Sequence, residues 1–512
     1  MSKKTAPRRN ETVRKASAAG AGKAPAKTAR DDASAVLERL LNRLLTAIAV
    51  GDPLKAELET SSFMSIPNAT GNADPDQVEA FISTVMVDGA VKMRTPEGAA
   101  LLRLLTSLGS PATRRAASQG LGELTRAGVY PPDWVTEAGK AVPGRAWRRY
   151  DVFGDHEAVA VTFSYGEAEH AIVAQIDRTG LPAVVMVGVT PSPADVIEGM
   201  TRDDVELERS ETISLAEART RLEDALDRCG TDPSPGTAEE TMVYLPVARS
   251  RVRRLPTDIP RPERIFGASQ RAAAVAEFMA SPQAATAVAA DEAATRFWAE
   301  VLTGYSGRVI DEPPAQVGPR KLTYILLGHV PGVFTLTPAQ RQHLEPAVSA
   351  WTRWSAAHRG LDEVATGRLT ERLAGVLSRF DQAYDDPDSA VARSYMADLV
   401  TSDADLSWLT RRLMRRGFAL PMPEPGDGSG PRDVSDPQVR RAMTEAEFAG
   451  CTPPAGLTRE QFMAAVHRVV CEIWDDDPVD TYLSAAELCA GGLDRHDAIH
   501  ALARAVATSP DR

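Results

Sequence analysis

Apolar positions recur every three or four residues from about Asp32 to Val142. Val36, Leu37, Leu40, Leu41, Leu44 and Leu45 mark one buried helical stripe. Thr95-Pro96 and Ser110-Pro111 each read as an N-cap followed by a proline whose fixed φ suits the first helical turn. Gly109 and Gly128 follow the ends of the helices these pairs start. No repeat period is strict enough to make the region a solenoid.

Near Trp147 the period falls to two. Val159, Val161 and Phe163 alternate with Ala160 and Thr162, and two further apolar runs, "HAIVAQID" and "LPAVVMVGVT", follow after short turns. Three consecutive strands with tight turns predict an antiparallel meander, and "SPADVIEGM" and "SLAEARTRLEDALDRCG" predict helices that cover it. The helical rhythm returns from about Ala268 to Arg416, where Trp351 and Trp354 share an apolar stripe with Leu344, Ala347 and Val348.

These patterns predict a mainly α, multi-domain helical protein with one small α+β module built on an antiparallel meander. The expected organisation is a disordered basic tail at 1–31, a helical domain at 32–145 and the α+β module at 146–230. A short helix with a Pro-rich connector follows at 231–265, then a helical domain at 266–417, a linker at 418–437 and a C-terminal helical module at 438–512.

Charge changes this picture mainly at one end. The 512 residues carry a formal net charge of −12, yet residues 1–30 hold nine Lys or Arg against the single acid Glu11. An acidic body does not grip a phosphate backbone, which needs clustered positive charge. Contact with nucleic acid or an acidic partner is therefore expected only from the tail, through Lys3, Lys4, Arg8, Arg9, Arg14 and Lys15. "GAGK" in that tail lacks the upstream glycine and the following Ser or Thr of a phosphate loop. No apolar run reaches the length of a membrane span and no secretory leader is evident, so a cytoplasmic location is expected.

The C-terminal module is the place where chemistry is expected first. Thr458 with Gln461 forms a capping box, Asp477-Pro478 reads as the next helix start, and Asp494 caps the last helix after Gly491-Gly492. His496 and His500 are then four apart on one face, as are His467 and Cys471 on an earlier helix. Antiparallel packing of the two helices would bring four donors together, the set for tetrahedral zinc or another divalent metal. Glu472 and Asp497 are the candidate bases. The competing reading is that these groups make polar contacts between packed helices, with the four cysteines (Cys229, Cys451, Cys471 and Cys489) as buried thiols. A second cluster, Asp155, His156, Glu157, Glu169, His170 and Asp177, lies on the predicted strands, where His156 and His170 are expected to face each other across a hairpin. Arg411, Arg412, Arg415 and Arg416 read as a solvated helix end.

His467, Glu472, Asp476, Asp477, Pro478, Asp494, Arg495, His496 and His500 together resemble a recurrent C-terminal RHxxxH helical module of unknown function. The wider chain resembles uncharacterised conserved proteins of high-GC Gram-positive bacteria. The resemblance implies a folded family and no particular activity. Many relatives have Glu at the position of Asp497 here, so the carboxylate reach is shorter.

Motifs for nucleotide binding, serine hydrolysis, kinase chemistry and calcium loops are missing from the sequence. The leading expectation is a cytoplasmic interaction or scaffold protein without catalysis. The alternatives are a metal-dependent enzyme, such as a hydrolase, at the C-terminal histidines, and weak nucleic-acid binding through the tail.

Overall fold

A computed structural model describes residues 42–65, 81–180, 182–202, 206–231, 239–257, 266–309, 312–397, 399, 406–421 and 433–508. The basic tail, with Lys3, Lys4, Arg8, Arg9, Arg14 and Lys15, and most of the 418–437 linker lie outside these residues. The chain is mainly α-helical with one small antiparallel sheet. Contacts divide it into two compact units, Met1–Ala141 with Met242–Arg251, and Val142–Thr241 with Val252–Arg512. No helix among the described residues is long and apolar enough to cross a membrane.

In the first unit, α1 (Pro53–Met64), α2 (Pro96–Leu108) and α3 (Pro111–Arg126) start at proline. The caps of α2 and α3 are as the sequence predicts, with Thr95 accepting from Gly98 N and Ser110 from Thr113 N. Leu101, Leu102, Leu104, Leu105 and Leu108 of α2 are buried. Glu57 and Arg251 form an ion pair at 2.5 Å with both side chains fully buried, and Glu57 also accepts from Gly139 N at 2.9 Å. Such a pair is tolerated only because its remaining lone pairs are satisfied.

The second unit opens with five strands: β1 (Val142–Asp151), β2 (His156–Tyr165), β3 (Ala168–Asp177), β4 (Ala183–Thr190) and β5 (Glu208–Ile213). They are ordered β4-β3-β2-β1-β5, all antiparallel. The expected meander is its β2–β4 part. β5 adds to the free edge of β1, and "ERSETI" conceals this because its polar residues suit an edge. Arg148 pairs with Glu211 at 3.0 Å and Arg149 with Glu208, so cross-strand charge replaces apolar alternation. The predicted covering helices are α4 (Pro193–Thr201) and α5 (Leu215–Thr231). Val196, Ile197 and Met200 of α4 pack on Trp147 and Ala160 of the sheet.

The helical part of this unit has two cores. The first gathers around Phe278, Trp298, Trp351, Trp354 and Phe380, drawn from α6 (Ala268–Met279), α7 (Glu292–Gly304), α9 (Leu344–His358) and α10 (Glu363–Tyr384), with the short α8 (Pro319–Tyr324) on its border. Trp351 and Trp354 are core anchors, as their stripe predicts. Phe153, from the β1–β2 turn, joins this core. α7 and α8 each run on into a π-helical turn, at Tyr305–Val309 and Ile325–His329.

The second core unites α11 (Leu406–Ala419), α12 (Pro437–Glu447), α13 (Arg459–Asp475), α14 (Val479–Ala490) and α15 (Arg495–Thr508). Phe462, Val466, Val469, Val470, Ile473 and Ile499 meet there. The Thr458–Gln461 capping box is present. The next start differs from the prediction: Asp476 ends α13 in the left-handed region and Pro478, across a cis peptide from Asp477, is the N-cap of α14. Of the four arginines of α11 only Arg411 is exposed as expected. Arg416 is buried and donates to Tyr395 O and Ala397 O at 2.7 Å, while Arg412 and Arg415 turn to Asp476.

Candidate functional site

The four expected metal ligands do not converge. His467 Nε2 lies 3.4 Å from Glu445 Oε1, and Cys471 is solvent-exposed. His500 packs on Phe462, its ring 4.8 Å away. His496 stacks on Phe448 at 4.3 Å and 11°, with its two nitrogens turned to Cys451 and Glu447. The reason lies in helix geometry. Val466 and Val470 define the buried stripe of α13, and His467 and Cys471 follow each by one residue, which rotates them about 100° away from it. Partial desolvation lowers the His467 pKa and raises that of the Cys471 thiol, both opposed to forming the charged species.

The candidate bases are also engaged elsewhere. Glu472 accepts from Arg468 and from Thr481 Oγ1, both at 2.7 Å, while Asp497 is exposed in the first turn of α15, its N–H capped by Asp494 at 2.8 Å. Among the described residues, no three His, Cys, Asp or Glu side chains are placed to hold one metal ion. Nor are the cysteines uniformly buried: Cys229 is, whereas Cys451 and Cys489 are half-buried.

The second predicted cluster also divides. His156 pairs with Asp177 in the β2–β3 register and His170 with Phe163, so the histidines sit at opposite ends of the hairpin. The turn at Gly166, with φ +59°, fixes that register. His170 is fully buried between Phe163 and Tyr165 and belongs to the core.

Around His156, however, the fold assembles a buried ionic network that the sequence only half discloses. Asp151 accepts from Phe153 N and His156 N, each at 2.7 Å, and from the His156 ring at 2.7 Å, closing the β1–β2 turn. Glu157, buried in β2, takes Arg148 at 2.6 Å, Arg178 at 2.8 Å and Arg221 at 3.0 Å. Arg178 continues to Glu312 at 3.0 Å, and Glu312 pairs with the fully buried Lys321. Lys321 also donates to Gly154 O at 3.0 Å, and Arg359 donates to Val152 O and Phe153 O at 2.9 and 3.0 Å. The turn is thus held by side chains more than 150 residues away in the chain.

Asp155 stands apart in this network. Its Oδ2 accepts from Arg320 N at 2.6 Å, while its Oδ1 is buried without a hydrogen-bond partner. Burial pushes its carboxyl up to about 6, with Lys321 opposing and Asp151 assisting. Asp151 and Glu157 move the other way. Burial raises each, but the His156 ring and main-chain N–H groups at Asp151, and Arg178, Arg221 and Arg148 at Glu157, outweigh it and hold both below the ordinary range. The Asp151 hydrogen bond raises the pKa of His156.

Sequence reasoning missed Arg148, Arg178, Arg221, Glu312 and Lys321, and in the C-terminal module Glu447 and Cys451. These residues are brought together from distant segments, so no local spacing marks them. Only the run from Asp155 to Glu157, dense in ionisable groups beside an apolar strand, was a usable signal. No protein-family model, curated protein or solved structure matches the chain.

Proposed function

We propose that the protein is an interaction protein of the cytoplasm, assembled from helical modules and equipped with a basic N-terminal arm for an acidic partner. One observation carries the reading. α14 leaves Val479 and Leu483, one helical turn apart, 45% and 48% exposed, and Leu493 beyond its end is 40% exposed. These side chains lie beside the core and not in it, so their exposure stabilises nothing within the module. The buried charges at the sheet end also support the reading, because they are spent on one another and on main-chain groups. That is what holding a shape requires. The arm adds a net charge of about +8, an electrostatic lure whose strength falls with salt.

The test is quantitative affinity purification from the native host with three proteins: wild type, Val479→Glu with Leu483→Glu, and a form lacking residues 1–30. The expected result is one partner in near-stoichiometric yield, reduced on the order of tenfold or more by the double substitution. Contacts made through the arm should weaken as salt rises and vanish with its removal. Capture of the same proteins in the same amounts by all three forms would overturn the reading.

A further inference from the structure

The environment of Cys451 differs from that of every other thiol in the chain. Its Sγ lies 3.1 Å from His496 Nε2, and the other ring nitrogen, Nδ1, lies 3.4 Å from Glu447 Oε1. Nucleophile, base and orienting carboxylate follow one another in the order that activated thiols require. Three structural features fix the arrangement. His496 sits in the first turn of α15, whose start is set by the Asp494 cap, and its ring lies flat on Phe448. Glu447 is the last residue of α12, and Arg495 clamps its carboxylate with bonds of 2.5 and 3.3 Å. Arg495 in turn is anchored on Phe418 O and Ala419 O. The main chain of Cys451 is held by its N–H on Phe448 O at 3.2 Å and by Arg459, which donates to Cys451 O at 3.0 Å.

The site is also reachable. The His496 side chain is 35% exposed and that of Glu447 26%, and Cys451 is half-buried. Arg495 from α15 bonds the Glu447 carboxylate and Arg459 from α13 the Cys451 carbonyl, so both partners of the His496 ring are held in place. Cys471 has no such partner set and Cys229 is buried.

We infer that Cys451, His496 and Glu447 form a nucleophilic thiol site that accepts an acyl group from an activated ester or thioester. His496 Nε2 takes the thiol proton, and Cys451 Sγ attacks the acyl carbonyl carbon. The bond from that carbon to the leaving oxygen or sulfur breaks, and His496 returns the proton to the leaving group. The product is a thioester on Cys451, and no oxidant or reductant is consumed. Glu447 is a positioning residue: it holds the imidazole with Nε2 facing the sulfur and stabilises the imidazolium. The inference is independent of the partner-binding role proposed above.

The test uses the full chain with two probes, iodoacetamide and p-nitrophenyl acetate, read by peptide mass spectrometry. Cys451 is expected to alkylate at least about tenfold faster than Cys471 or Cys489 at pH 6.5. p-Nitrophenyl acetate should release about one equivalent of nitrophenolate in a burst and leave the acetyl group on Cys451. His496→Asn should slow acetylation by about 10²-fold or more. Glu447→Gln, which keeps an acceptor but loses the charge, should slow alkylation of Cys451 toward the rate of Cys489 while leaving the rates of Cys471 and Cys489 unchanged. If His496→Asn does not fold, the wild-type rates of the three thiols at pH 6.5 decide alone. Alkylation of Cys451 no faster than Cys471 at pH 6.5, or acetylation directed to other residues, would overturn the assignment.

Discussion

Asp155 shows how one side chain reports the balance of forces around it. Its Oδ1 is buried without a hydrogen-bond partner and its carboxyl is pushed up to about 6 by burial, so ionisation works against the folded state. Because the folded pKa lies above the unfolded one, the stabilisation exists below about pH 4 and is lost as pH rises through 6. Asp155→Asn keeps an acceptor for Arg320 N and removes the charge. It should raise the thermal midpoint at pH 8, by a free energy on the order of 2 kcal/mol, and change little at pH 3.5. Calorimetry at the two pH values checks this, and an equal effect at both would contradict it. Gly318 is the neighbouring constraint, since a Cβ there would collide with the Asp155 carboxylate. Gly318→Ala should cost about 1–3 kcal/mol in urea unfolding, because neither the carboxylate nor the main chain has room to yield.

At the level of elements, local signals decided where helices begin. Thr95, Ser110 and Thr458 were readable as caps because capping is a contact between residues three apart. Thr458→Ala should therefore cost about 1 kcal/mol, measured as a shift in the urea midpoint with unchanged slope. The strands were legible where apolar alternation was strong. β5 was not, because an edge strand paired through Arg148–Glu211 and Arg149–Glu208 has no apolar face to announce it. The hairpin histidines were misplaced for a related reason, since register depends on the turn residue and not on strand composition. Glu157 ties β1, β2, β3 and α5 together through three arginines. Glu157→Gln should cost about 3 kcal/mol, as three half-buried guanidinium groups lose their common anion. A loss below about 1 kcal/mol in chemical denaturation would show that the network is dispensable.

For the whole molecule, these titrations set an acidic stability optimum. Asp151 and Glu157, with lowered pKa values, stabilise above the ordinary carboxylate range, and that stability is lost as pH falls through their folded values. His156, with a raised pKa, stabilises below 6.5 and loses that contribution as pH rises through its folded value, in the same direction as Asp155. The sum should place maximum stability between about pH 4 and 5, with a decline from there to pH 8. A thermal-shift series from pH 4 to 9 checks this, and Asp155→Asn should flatten the decline between pH 4 and 6. A flat wild-type profile across pH 5–8 would refute the assignment of these groups.

The sequence by itself determined the helical class, the position of the small sheet, most helix starts and the tryptophan core. Each of these depends on periodicity or on contacts between residues a few positions apart, which the chain carries locally. Tertiary structure alone decided which ionisable groups meet. His467 and Cys471 had the right spacing but lie one residue off the buried stripe of α13, turned about 100° away from it. Cys451 and Glu447 had no suggestive spacing, yet the packing of α12 against the start of α15 brings them to the two nitrogens of His496. Helix phase and long-range packing fix such encounters, and neither is encoded in any short stretch of sequence.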